Sequence, residues 1–182
     1  MQKTPWWADR VHEKLSQGDV VAELPFFLSP SPAQYLRHTT MRGGASGWME
    51  SAKPVQDREG RVRFLGIGRI VAGLVLSHSC ELDKEDRGKR RVLVAPIVPI
   101  ETVAESAQRD AILAQQLTAS LPLPDVPTLG TCYADLRSLT TLEREIVDSG
   151  KRVASMVPEA ERRLQAQLVA FLVRLYLPAE QR

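Results

Sequence analysis

The chain has 182 residues, 43% hydrophobic and 25% charged, which is enough apolar material for a self-sufficient core and excludes wholesale disorder. Its longest apolar runs, residues 70–76 and 92–100, fall far short of the ~20 residues that span a bilayer, and the N-terminal MQKTPWWADR turns polar too soon for a signal peptide. The net charge is only +2, and two cysteines, Cys80 and Cys132, do not make a disulfide framework, so the expectation is a cytoplasmic protein with free thiols.

Residues 6–17 (WWADRVHEKLSQ) predict a short helix, with Trp7, Val11 and Leu15 at four-residue spacing and Gly18 as its stop. Residues 19–25 read as a strand ended by Pro25. From residue 29 to 60 the punctuation by Pro30, Pro32, Gly43, Gly44, Gly47 and Pro54 reads as loop. Residues 31–70 hold seven bases, among them Arg37, Arg42, Arg63 and Arg69, against three acids. That local charge of +4 leaves −2 for the rest and makes the segment a candidate phosphate-gathering surface.

Strands are predicted at residues 61–70, 73–77 and 91–97, the last two β-branched and suited to burial on both faces. Residues 81–91, with mixed charges around Gly88, read as a solvated connection. Thr102 and Glu105 have capping-box spacing for a surface helix to residue 117. Residues 121–127, with three prolines, read as a linker-like turn, and 131–139 as a strand. Thr140 and Glu143 repeat the capping spacing before a short helix closed by Gly150. The last helix opens at Pro158, and Leu164, Leu168, Phe171, Leu172 and Leu175 form one apolar stripe for core or dimer contact, with no cofactor role. Trp6 and Trp7 are expected to anchor the first helix, and Trp48 to pack against the long loop.

The order of these pieces resembles the PemK/MazF family of plasmid-maintenance toxins. Gly18-Asp19-Val20-Val21 followed by Pro25-Phe26 matches its opening strand, and Leu74-Val75-Leu76-Ser77 its next marker. Val92-Leu93-Val94-Ala95-Pro96-Ile97 matches the third, and Asp135-Leu136-Arg137-Ser138-Leu139 the segment near the C-terminus. Residues 151–159 match the family's basic turn and terminal helix loosely. The resemblance covers about two thirds of the chain and implies one α+β, mainly β domain. That domain would be an SH3-like β-barrel with a C-terminal helix and peripheral helices, carrying an inserted loop at 28–60 and an inserted helix and linker at 101–128. It further implies a homodimer, a single-stranded RNA substrate, metal-free cleavage and a protein antitoxin. The family's catalytic Arg-Pro pair and Ser/Thr fall on Val71, Ala72 and Val98 here, which offer neither charge nor proton. The expected divergence is therefore an altered catalytic set, or a barrel that has lost catalysis and serves as a protein-interaction module.

The most chemically dense stretch is Ser77-His78-Ser79-Cys80-Glu81-Leu82-Asp83-Lys84. In one reading, His78 transfers protons for RNA cleavage with Glu81 or Asp83 orienting it, and Arg91 or Arg69 clamps the phosphate. In a second, Cys80 is a nucleophile activated by His78, or by His12 or His38, in a thiol-dependent enzyme. A third has His78, Cys80, Asp83 and Cys132 binding zinc, although the spacing matches no common zinc site and no metal or other cofactor is required. A fourth is purely structural, with Cys80 packing as a small hydrophobe and His78 satisfying a turn. The second candidate region is Tyr35-Leu36-Arg37-His38-Thr39-Thr40-Met41-Arg42-Gly43-Gly44, where Arg37, His38 and Arg42, with Arg69, would grip RNA phosphates beside a stacking aromatic.

Overall fold

Runs of aliphatic and β-branched residues dominate the middle of the chain, and they fold as strands. A computed structural model describes residues 5–28, 34–40, 46–51, 56, 63–65, 67–82 and 91–176. In chain order the elements are β1 (Val20–Leu28), β2 (Gln34–Thr40), β3 (Ser46–Ser51), β4 (Arg63–Leu65), β5 (Ile67–Val75), α1 (Ser79–Leu82), β6 (Arg91–Pro99) and α2 (Ser106–Leu113). They continue as β7 (Ser120–Val126), β8 (Gly130–Asp135), β9 (Thr140–Glu143), α3 (Arg144–Ser149), β10 (Lys151–Ala154) and α4 (Pro158–Tyr176). The chain divides into two units, Met1–Leu24 with Val71–Arg182, and Pro25–Ile70.

Seven strands form one antiparallel sheet in the order β10-β1-β5-β6-β8-β7, with β9 also paired to β6. The protein is thus α+β and mainly β, and among the described residues the sheet does not close on itself. Along β6, residues Arg91 to Val94 pair with β9 and Ile97 to Pro99 with β8. Pro96, which has no N–H to give a ladder, falls in the gap between those two pairings.

The core of this unit gathers Val20, Leu74, Ala95, Ile97, Leu121, Leu123, Leu136 and Met156 from the sheet side and Ala160, Leu164 and Phe171 from α4. Burying each large aliphatic side chain contributes about 1.5–3 kcal/mol. A smaller cluster joins Val103, Ile112 and Tyr133, and it holds α2 by one buried residue while the helix otherwise stays near the surface. In α4, Leu164 and Phe171 are buried and Leu168 packs on the core, but Leu172 of the predicted stripe is exposed.

Several expectations are corrected. Residues 6–17 form no helix, because their backbone groups are satisfied elsewhere: Trp7 bridges Met156, Ala8 N donates to Ser155 O, and the Arg152 guanidinium donates to the carbonyls of His12 and Glu13. The two tryptophans still anchor the segment, Trp7 Nε1 donating to Pro124 O at 2.7 Å and Trp6 lying under Arg163. Within the expected loop at 29–60 stand β2 and β3, where Tyr35, Thr39, Thr40 and Trp48 supply strand character that the flanking glycines obscured. Residues 121–127 are a strand, with Leu121, Leu123 and Val126 buried; β7 ends the sheet order, where prolines are tolerated. Thr102 does not cap a helix, since its hydroxyl donates to Pro99 O and α2 begins only at Ser106. Thr140 to Glu143 are β9, and residues 136–138, expected as strand, are a 3-10 turn after β8. The strands expected at 61–70 and 73–77 are rearranged as β4 and a β5 that continues through Val71 and Ala72 to Val75.

The Pro25–Ile70 unit holds a three-stranded antiparallel sheet in the order β3-β2-β4. Tyr35 lies opposite Ser51 and Phe64, Arg37 opposite Met49, Leu36 opposite Glu50 and Arg63, and His38 opposite Trp48.

Candidate functional site

The chain leaving β5 is pinned before it turns. Val75 and Leu76 are wholly or almost wholly buried; Gly18 N donates to Val75 O, and Leu76 N to Leu93 O. The Ser77 hydroxyl accepts from Leu93 N at 2.8 Å, and the buried Gln17 side chain donates to Leu76 O at 2.6 Å while accepting from Gln165 of α4. α1 is then held at its start by Ser79 Oγ, which accepts from Gln17 N. At its end Leu82 is buried and its carbonyl accepts from Arg144, whose Nε is paired with Asp148. Between these clamps His78, Cys80 and Glu81 are exposed.

His78 Nδ1 lies 3.0 Å from Cys80 Sγ, and it also accepts the Cys80 backbone N–H at 3.3 Å. In the Nε2–H tautomer the Nδ1 lone pair faces both the Cys80 amide and its thiol, so the imidazole of His78 is in contact with Cys80. Asp83 and Arg42 lie outside the described residues. Cys132 does not belong with Cys80: it is buried in the core on β8, and burial together with the nearby Glu101 pushes its thiol up to about 11. Among the described residues, no three His, Cys, Asp or Glu side chains group as metal ligands.

Arg91 is exposed at the start of β6, with Glu143 of β9 as its cross-strand partner. Arg69 is exposed on β5. On β2, Arg37 and His38 are successive residues and so belong to opposite faces of the three-stranded sheet, which separates two residues expected to grip one ligand together. By register Arg37 shares its face with Tyr35 and Phe64, and His38 shares the other with Trp48 and Arg63.

A polar cluster that sequence reasoning missed surrounds Asp19. This carboxylate is wholly buried: Oδ2 accepts from Ser16 N at 2.8 Å and lies 3.7 Å from Arg152 Nη1, and Oδ1 lies 3.9 Å from His12 Nδ1. Oδ1 has no hydrogen bond of good geometry, although the Ser155 hydroxyl is near enough to favour the charged form. Burial outweighs these partners and raises the Asp19 pKa. Glu161, in the first turn of α4, is likewise raised by burial; His12 and His78 act on it as opposing positive charges and Asp19 as a reinforcing negative one. No local sequence signal could have shown this, because it depends on where α4 docks.

No family model matches the chain, and no curated protein is significantly similar to it.

Proposed function

We propose that the protein is a divergent PemK/MazF-like protein, built on a partly open SH3-like barrel, that binds single-stranded RNA. The observation that carries the reading is the three-stranded sheet of the Pro25–Ile70 unit. Tyr35 stands opposite Phe64, with Arg37 two residues along on the same face, in a stretch of net charge +4. Aromatic residues stack on unpaired bases, and arginines neutralise phosphates beside them. The fold adds support, because the strands that bear the three family-like motifs, β1, β5 and β6, are neighbours in the sheet.

Cleavage is the more demanding half of the reading. The positions of the family's usual catalytic groups are held by Val71, Ala72 and Val98, so proton transfer falls to His78, with the exposed Arg91 of β6 as the phosphate clamp. The binding test is fluorescence anisotropy with a labelled single-stranded RNA. Arg37→Ala and Arg69→Ala should each weaken binding several-fold, and absence of binding by the folded wild type would overturn the proposal. The cleavage test is incubation of a long RNA without added metal. Loss of product in His78→Ala supports a nuclease, and equal activity of both proteins removes His78 from the mechanism.

A second reading, a barrel without catalysis that serves as a protein-interaction module, is favoured by Val169, Leu172 and Val173. These lie exposed along α4, which otherwise buries Leu164 and Phe171. A homodimer or an antitoxin-like partner would cover that stripe. Sedimentation of the wild type against Val169→Glu separates the two cases: a dimer dissociates in the variant, and a monomer does not change.

A further inference from the structure

Cys80 is the exposed cysteine among the described residues, and its Sγ lies 3.0 Å from a histidine nitrogen. We propose that Cys80 is a reactive thiol that forms mixed disulfides with small-molecule disulfides, with His78 as its proton acceptor. The proposal goes beyond RNA binding and stands or falls separately from it.

Two observations carry it. First, the contact is built: residues two apart meet here because α1 is clamped by Ser79 Oγ to Gln17 N and by Leu82 O to Arg144, which fixes the turn that brings the side chains together. Second, in the Nε2–H tautomer Nδ1 faces the Cys80 amide and thiol as an unprotonated nitrogen, and an adjacent base is what converts a weakly nucleophilic thiol to thiolate. Nucleophile and base are thus contributed by α1 and the residue before it.

The exposure of both His78 and Cys80 selects the chemistry. An acyl or phosphoryl intermediate needs an enclosing, water-excluding pocket with fixed donors, whereas thiol–disulfide exchange needs only an accessible thiolate. Cys132 is no resolving partner, because it is buried in the core with its thiol pushed up to about 11. The reaction therefore stops at a mixed disulfide. The Cys80 proton passes to His78 Nδ1, and Sγ attacks one sulfur of the small disulfide RS–SR. The Sγ–SR bond forms as the RS–SR bond breaks, and the departing RS⁻ takes the proton from His78. Cys80 is oxidised, and the external disulfide is reduced to one thiol and one protein-bound half.

The test uses the full chain at neutral pH with oxidised glutathione and, for rates, Ellman's reagent, with peptide mapping by mass spectrometry to separate Cys80 from Cys132. Cys80 in the native protein should react at least ten-fold faster than in the urea-unfolded chain and should carry the glutathione adduct. His78→Ala, checked for folding by circular dichroism, should fall to the unfolded rate. A native rate no faster than the unfolded one, or full reactivity in His78→Ala, would overturn the assignment.

Discussion

Asp19 shows how a single residue can set the pH response of the fold. An acid whose pKa is raised on folding holds its proton more tightly in the native state than in the unfolded one. In the window between the ordinary value of 3.8 and the raised native value, the native state carries more protons, and stability falls as pH rises. The contribution is complete below the unfolded value and lost above the folded one, the reverse of a carboxylate whose ion pair dominates. Glu161 acts in the same direction from its own ordinary value of 4.5. Asp19→Asn keeps an acceptor for Ser16 N but cannot ionise. Its urea midpoint should gain on the wild type as pH is raised from about 4 toward neutrality, and a constant difference across that range would show that Asp19 does not titrate there. A second residue-scale cost sits in the turn after β7, where Thr128 has a φ of 67° that a β-branched residue tolerates poorly. Thr128→Gly should raise stability by about 0.5–1 kcal/mol, since relief of left-handed strain exceeds the added chain entropy; a lower denaturation midpoint would refute this. The meeting of His78 and Cys80 was within reach of the sequence because it is local. The Asp19 and Glu161 environment was not, because it is assembled by segments far apart in the chain.

Individual elements divide by how much of their determination is local. The strand β6 and the helix α4 were readable because β-branched runs and a helical apolar stripe impose their own periods, whereas β1 runs past Pro25 to Leu28 and β5 joins residues read as two strands. The first segment misled because Trp7, Val11 and Leu15 have helical spacing, yet Trp7 and its neighbours bond to Met156, Ser155 and Pro124. The prolines of β7 misled in the opposite sense, since an edge position makes them harmless. Gly18 packs the first segment against Met156, between β10 and α4. Its φ is +84°, and a Cβ there would stand 2.9 Å from Met156 Cβ. Gly18→Ala should therefore cost about 2 kcal/mol or more, through the left-handed backbone and through overpacking. α4 offers an internal control for the core: Leu164→Ala should cost about 2–5 kcal/mol and Leu172→Ala no more than about 0.5 kcal/mol in a monomer, because one is enclosed and the other is exposed. Equal losses at the two positions, measured by denaturant titration, would mean that another surface covers Leu172.

At the scale of the whole molecule the charge is unevenly placed. Residues 31–70 carry +4 and the remainder −2, and the division of the chain places all of that basic stretch in the Pro25–Ile70 unit. A nearly neutral protein can then attract a polyanion through one unit while the other bears the His78–Cys80 pair. If the attraction is electrostatic, RNA affinity must fall as salt rises, because each neutralised phosphate releases condensed counter-ions. For single strands the slope of log K against log salt is about −0.7 per phosphate contact, so Arg37→Ala should flatten it by about 0.7 as well as weaken binding. His78→Ala should leave the slope unchanged, since His78 belongs to the other unit of the chain. Anisotropy titrations across a salt series read both values, and a wild-type affinity independent of salt would place RNA recognition somewhere other than the basic sheet.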